Sequence, residues 1–250
     1  MKLFAALSVL ALSLSACTSQ SATAQNSGVS ATPAAGASTA PANSLVVAEL
    51  FTSQGCSSCP SAESLFSKLA EREDLLTLEW HVDYWDDLVH HGSRWKDPYS
   101  KGEYTRRQRS YNRSIRGKNA AYTPQAVING HLEGVGSRPG TVGNMIDNAS
   151  AHSISAQITG NKVVVGPSSE AVDIVFLRLL DHHETDVKGG ENKGRKLSGR
   201  NIVLEASVIG KSGQNSTELT LPSVDGNETC AVILQSQNDN LGSVLGAAKC

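Results

Sequence analysis

Two cysteines separated by two serines, Cys56-Ser57-Ser58-Cys59, are the residues of this chain whose type and spacing best suit chemistry. A thiolate is both the nucleophile of disulfide exchange and a soft metal ligand. Ahead of the pair, Leu45 to Phe51 is an apolar run long enough for one buried strand. Behind it, Ser61 to Glu71 carries Leu65, Phe66, Leu69 and Ala70 at helical spacing. The thiols therefore stand where a strand turns into a helix. The first N–H groups of a helix are unpaired and carry the positive end of its dipole, which favours thiolate over thiol. C-x-x-C in that place reads as a redox motif, with Cys56 attacking and Cys59 resolving. The alternative is a Cu(I) site, for which His81, His90 and His91 are the nearest imidazoles in sequence. A single C-x-x-C is weak support for metal, so no metal or other cofactor is assigned. A third use is a permanent Cys56–Cys59 disulfide in a non-catalytic adaptor of the cell envelope.

The other three cysteines place the chain in a compartment. Met1-Lys2 leads into the apolar run Leu3 to Leu14, the length of a signal-peptide core and too short to span a bilayer. It ends in Leu14-Ser15-Ala16-Cys17, which resembles the bacterial lipobox. That resemblance implies a signal peptide over residues 1–16 and a lipid on Cys17. Thr18 and Ser19, with no Asp after the cysteine, imply sorting to the outer membrane, on its periplasmic face. Residues 17–44 are almost wholly Ser, Thr, Ala, Gln, Asn, Gly and Pro, and read as a disordered tether with a reach of roughly 30 Å. A periplasmic address permits disulfides. Cys230 opens one strand-like run, Cys250 closes another, and Asn238-Asp239-Asn240 between them has turn chemistry. A hairpin there predicts a structural Cys230–Cys250 disulfide. The net charge of −2 points to neither a nucleic-acid binder nor an acidic tail. The expected partners are protein thiols and disulfides of the periplasm, and the membrane through the N-terminal lipid.

Leu75 to Val82 reads as a second strand. Pro124 stands immediately before the apolar run Ala126-Val127-Ile128, which places it at a strand's start. An Asn129-Gly130 turn leads to a short strand over Leu132 to Ser137, and Pro139 to Ser150 supplies a last helix. This order matches the thioredoxin plan over residues 45–151, with an insert at 84–122. That plan implies a cis Pro124 facing the cysteines and a Thr123 that presents its backbone to substrate. Within the insert, Tyr104, Tyr111 and Ile115 fall within about 40° on a helical wheel. Arg106, Arg109, Arg113 and Arg116 project the other way. The insert is either a cap over the cysteines or, the favoured reading, a solvated basic face over a local aromatic core.

The segments Leu50 to Pro60, His81-Val82-Asp83-Tyr84-Trp85-Asp86, Trp95-Lys96-Asp97-Pro98, Arg107-Gln108 and Tyr122-Thr123-Pro124-Gln125 resemble a family of exported bacterial proteins of thioredoxin-like fold and unassigned function. Gly190 to Arg195 and the ending Leu241 to Ala248 extend the resemblance to nearly the whole domain. Where that family carries a histidine before a late strand, this chain has Gly199-Arg200-Asn201. Thioredoxins also keep a buried acid about six residues before the first cysteine. Leu50 occupies that position, and Glu49 stands one residue earlier, where a solvent-facing or salt-bridged role is favoured.

From residue 152 to 250 short alternating segments separated by Gly, Asn and Ser suggest seven strands of a small all-β, sandwich-like domain. The Lys188 to Arg200 loop either touches the redox face or, the favoured reading, is merely solvated, and His182-His183 reads as an exposed strand end rather than a metal site. The whole reads as an α/β thioredoxin-like domain with a helical insert, followed by the all-β domain. The expected function is a lipid-anchored periplasmic thiol–disulfide oxidoreductase acting through Cys56, Cys59 and Pro124, with Thr123 binding substrate.

Overall fold

A computed structural model describes residues 45–250, except 91 and 238. The signal peptide, Cys17 and the tether expected over 1–44 lie outside the described residues, as does His91. Strand β1 (Val46–Thr52) is the axis of the first half. Strand β2 (Leu75–His81) runs parallel to it on one side and β3 (Gln125–Ile128) antiparallel on the other. Strand β4 (Leu132–Val135) folds back on β3. Helix α1 (Pro60–Leu69) crosses from β1 to β2, helix α2 (Gly102–Arg116) lies in the insert, and helix α3 (Pro139–Asp147) follows β4.

Period-two alternation sorts the strand residues between the two faces. Ala48 and Leu50 pack with Ala62 and Phe66 of α1 and Val142 and Ile146 of α3. Val47 and Phe51 pack on the opposite side with Tyr104 and Tyr111 of α2. The Trp80 and Tyr104 rings meet edge-on at 5.0 Å. The aromatic core expected beneath the insert is therefore part of the main core. Helix α2 stops at Gly117, whose φ of 63° a residue with a Cβ adopts only under strain.

All seven strands expected in the second half form. They are β5 (Ala156–Thr159), β6 (Lys162–Val165), β7 (Asp173–Asp186), β8 (Lys196–Lys211), β9 (Thr217–Thr220), β10 (Glu228–Gln237) and β11 (Leu241–Lys249). They do not make a domain of their own. Strand β8 meets β2 in parallel, with Glu79 opposite Ile202, so one mixed sheet of eight strands runs β11-β10-β7-β8-β2-β1-β3-β4. The expected division at 151/152 is corrected accordingly. Its physical reason is length: β7 and β8 have 14 and 16 residues, enough to reach past the second sheet and complete the edge of β2. Among the described residues β5-β6-β9 forms the one separate sheet, and it covers Ile174, Phe176, Val232 and Leu234 through Val163 and Val165. Antiparallel β10 and β11 bring Cys230 and Cys250 into a disulfide with Cα atoms 5.2 Å apart.

Candidate functional site

Strand β1 delivers the chain into the turn Ser53-Gln54-Gly55-Cys56, closed by the Cys56 N–H donating to the Ser53 carbonyl at 3.1 Å. Cys59 caps α1, with Pro60 at the first helical position, where its missing N–H costs nothing. Cys56 and Cys59 are joined as a disulfide, their Cα atoms 5.5 Å apart. The expected strand-to-helix placement of the pair is what the structure has.

Cys56 Sγ accepts two hydroxyl contacts. Thr123 Oγ1 lies at 3.3 Å, and Ser58 Oγ also at 3.3 Å. The Thr123–Pro124 peptide is cis, and Thr123 in turn accepts a hydrogen bond from Trp85 Nε1 at 2.8 Å. Both cysteines are fully covered, at 0 % exposure, while Ser57 and Ser58 stand in solvent. The cover is built from two loops. From the insert come Trp85, whose Cβ lies 3.2 Å from where a Gly55 Cβ would stand, and Trp95, which donates to Gln54 Oε1 at 3.1 Å. From the loop between β7 and β8 come Glu191 and Asn192. Glu191 Oε2 accepts the Ser57 N–H at 2.8 Å. Buried Asn192 Nδ2 donates to the carbonyls of Gln54 at 3.0 Å and Cys56 at 2.9 Å. The 188–200 loop, expected to be merely solvated, thus clasps the cysteine turn. Its sequence carries no local signal for this, because the contacts span more than 130 residues.

Beneath the turn lies a buried polar cluster that the alternation of β2 explains. Leu76, Leu78 and Trp80 point to α2, so Thr77, Glu79 and His81 point to the α1 face. Glu63, four residues after Cys59, turns inward on α1 and accepts from Thr52 Oγ1 at 2.6 Å. His81 Nδ1 meets Asp97 Oδ2 at 2.7 Å, and that oxygen also accepts the Gln54 N–H at 2.8 Å. Burial pulls the His81 imidazole down, but the Asp97 carboxylate outweighs it and the net shift is upward. Asp97 moves the opposite way: burial raises it, and the His81 charge and its backbone donors bring it below the usual carboxylate range. His183, expected at an exposed strand end, is buried and pushed down to about 4 by burial and the His81 charge. His182 is exposed as expected. Burial raises the Glu63 carboxyl and raises Glu79 further, with the Glu63 charge adding to the rise. Glu63 also lines a cleft of about 390 Å³ that opens between α1 and β8 beside Pro60.

Both oxygens of Glu79 are buried with no well-formed hydrogen bond among the described residues, and the Arg200 backbone N–H offsets only part of the burial. A carboxyl that keeps its proton to higher pH when folded than when unfolded favours folding most below its unfolded pKa, about 4.3, and loses stability as pH rises. Glu79→Leu is therefore expected to stabilise the domain at about pH 7, by on the order of 1–3 kcal/mol. The gain should shrink towards about pH 4, where both states are protonated. Urea titrations at the two pH values measure this, and a loss at neutral pH would mean that Glu79 is satisfied in the fold.

Glu49 lies on the other side of the sheet and takes no part in this cluster. Its carboxylate binds Arg107 through Nε at 2.7 Å and Nη2 at 2.9 Å, and Tyr111 Oη at 2.6 Å. The salt-bridged reading of Glu49 is the one the structure has. As for metal ligands, His81 Nδ1 faces Asp97 and His90 Nδ1 faces Glu191 at 3.5 Å. Among the described residues no group of three or more His, Cys, Asp or Glu side chains is arranged to hold a metal ion.

Residues 47–235 match the sequence profile described as a protein of unknown function, DUF1223. The chain belongs to the DUF1223 family. The match takes in β1, the cysteine turn, the cover loops and most of β10, so the covered disulfide lies wholly inside the part that defines the family. A crystal structure of an Agrobacterium tumefaciens protein, a structural-genomics target, is similar at 29% identity with a TM-score of 0.68, over 82% of this chain and 92% of that one. HBP35 of Porphyromonas gingivalis is similar in fold alone, at 11% identity and a TM-score of 0.53, over 83% of this chain and 75% of that one. No curated protein matches the chain.

Proposed function

We propose that this DUF1223 protein is a thiol–disulfide exchange protein built on a thioredoxin-like half, with Cys56 as the attacking and Cys59 as the resolving thiol. The observation that carries the reading is the pair of hydroxyls, Thr123 Oγ1 and Ser58 Oγ, each 3.3 Å from Cys56 Sγ at the start of α1. A permanent disulfide has no use for donors aimed at one of its sulfurs. A sulfur that leaves and returns as a thiolate does, because hydrogen bonds and the helix N-terminus both favour the charged form.

In the exchange, the Cys56 thiolate attacks a substrate disulfide, forming a mixed disulfide and releasing one substrate thiolate. The Cys59 thiol gives up its proton and attacks Cys56 Sγ. The Cys56–Cys59 bond closes, the second substrate thiolate leaves, and two electrons have passed from protein to substrate. Run in reverse, the same steps oxidise a substrate dithiol. Glu63 fills the role of the buried acid whose expected position in this chain is occupied by Leu50. It is buried one helical turn beyond Cys59, burial raises its carboxyl above the usual carboxylate range, and it lines the cleft beside Pro60. Thr123 touches Cys56 and Pro124 follows it across the cis bond, and the two would receive the substrate backbone. The proposed setting is the periplasmic face of the outer membrane, with Cys17 carrying the lipid. An oxidising compartment fits the two disulfides.

One observation favours a second reading, the adaptor with a permanent disulfide: neither cysteine is exposed. The reduction potential of Cys56–Cys59 in the domain, with Cys59→Ser as a trap, separates the two. Exchange predicts a potential of roughly −120 to −270 mV, and covalent partners captured on Cys56. A potential below about −300 mV, with nothing captured, would assign the disulfide to structure.

A further inference from the structure

The net charge of the chain is −2, yet the border of the cysteine turn formed by the insert and α3 is positive. Arg116 stacks over the Tyr122 ring at 5.3 Å, and the charges of Arg116 and Arg138 both act on the Tyr122 phenol. Arg109 acts likewise on Tyr84, next to Trp85. These guanidiniums flank Tyr122-Thr123-Pro124, the segment whose Thr123 touches Cys56 Sγ. Glu133 faces the same segment and answers one of them, Arg116, at 3.6 Å. Arg106, Arg109 and Arg138 are exposed and have no ion-pair partner among the described residues, and Arg113 is held by the neutral amides of Asn119 and Asn240. Asp83 accepts from Thr105 through Oδ1, while its Oδ2 and Arg106 Nη1 both border Gly102 without forming an ion pair.

The cover carries a second feature. Between Trp85, which binds Thr123, and His90, which faces Glu191, the loop exposes Leu88 at 44 % and Val89 at 56 %. Exposed Asp87 precedes the two aliphatics, so they form an apolar contact on a loop that also carries a negative charge, with the unpaired arginines supplying the positive part of the rim.

We infer that the surface around Cys56 receives an acidic polypeptide, one with an apolar side chain near its reacting cysteine. The inference rests on the exchange reading and names its substrate class. In the direction open to the disulfide form, a thiolate of the polypeptide attacks Cys56 Sγ, the Cys56–Cys59 bond breaks, and Cys59 leaves and takes up a proton. A second thiolate of the polypeptide attacks its own sulfur in the mixed disulfide and frees Cys56. The polypeptide is oxidised by two electrons and the domain is reduced by two. The arginine row raises the encounter rate by attraction, so it acts on association and weakens as salt screens it.

The test is the rate at which two dithiol peptides of equal length, one with Glu and one with Lys around the cysteines, reduce the oxidised domain. Uncharged dithiothreitol serves as reference. The acidic peptide is expected to react faster than the basic one by about tenfold or more near 0.01 M salt, and about equally near 1 M. The double variant R109E/R138E should reverse the ratio, which separates the surface from any intrinsic difference between the peptides. Equal rates in the unchanged domain, or binding of the domain to phosphatidylglycerol vesicles without any peptide preference, would overturn the inference while leaving exchange itself standing. A disulfide that resists dithiothreitol and both peptides alike would overturn both readings.

Discussion

Arg107→Ala is expected to cost the domain about 3–5 kcal/mol, the largest effect of any single change considered. Glu49 is wholly buried in the middle of β1, and Arg107 neutralises it through two bonds while also reaching Tyr111 and Gln235, each at 2.8 Å. The guanidinium also stacks on Trp80 at 4.6 Å. One side chain therefore ties α2 to β1, β2 and β10. Removing it leaves a carboxylate with no counter-charge in the core. The deficit is that of a buried carboxylate left without its partner. For a domain of this size it corresponds to a fall in Tm of about 10 °C or more at neutral pH. Removing both charges with Glu49→Leu and Arg107→Met should recover much of the loss, since an apolar pair of similar volume avoids desolvation altogether. A loss below about 1 kcal/mol for Arg107→Ala would class the pair with ordinary surface bridges.

Asn192→Ala is expected to open the disulfide. Its amide is the clasp between the 187–195 loop and the cysteine turn, and it also accepts from Arg195 Nη1 at 2.8 Å. Without it the Gln54 carbonyl loses its bond inside the fold, a cost of about 1–3 kcal/mol. Most of that cost falls on the closed form of the turn, because the carbonyl finds water once the loop lifts. Every 1.4 kcal/mol removed from the opening step raises the rate of attack on Cys56 by about tenfold. Dithiothreitol should therefore reduce the variant about tenfold faster or more, with global stability lowered. Lowered stability with an unchanged reduction rate would mean that the sulfur is reached without moving the loop.

The cysteine turn was legible because its signals are local. An apolar run, C-x-x-C, Pro60 and a helical pattern follow one another within 27 residues, from Leu45 to Glu71. The cis Thr123–Pro124 bond was expected only from the likeness to the thioredoxin plan, whereas the Asn129-Gly130 turn, with φ values of 46° and 71°, and the Cys230–Cys250 pairing were legible for the same reason as the cysteine turn. These two are written in a few neighbouring residues or in the symmetry of a hairpin. The inward face of α2 was legible from its period, but Arg107 was not, since a charge next to an aromatic face reads as solvated until a buried partner is seen.

The acids beneath the turn show where sequence runs out. Glu63 shares the inward face of α1 with Phe66, and Glu79 and His81 alternate with apolar residues in β2, so their burial was open to inference from period alone. Their meeting was not. It requires α1 to lie across β2 and the 97 loop to bring Asp97 to His81. The covering of Cys56 by Asn192 and Glu191, and the joining of two expected domains into one sheet, depend on β7 and β8 extending past their own layer to β2. Sequence by itself determined the chemistry of the pair, its place at a helix start and the faces of the strands, because these follow from bonded neighbours and periodicity. Only the tertiary structure decided which edge each strand pairs with and what closes over the sulfur. Edge pairing and loop docking are set by contacts between residues more than a hundred positions apart, and no local pattern records them.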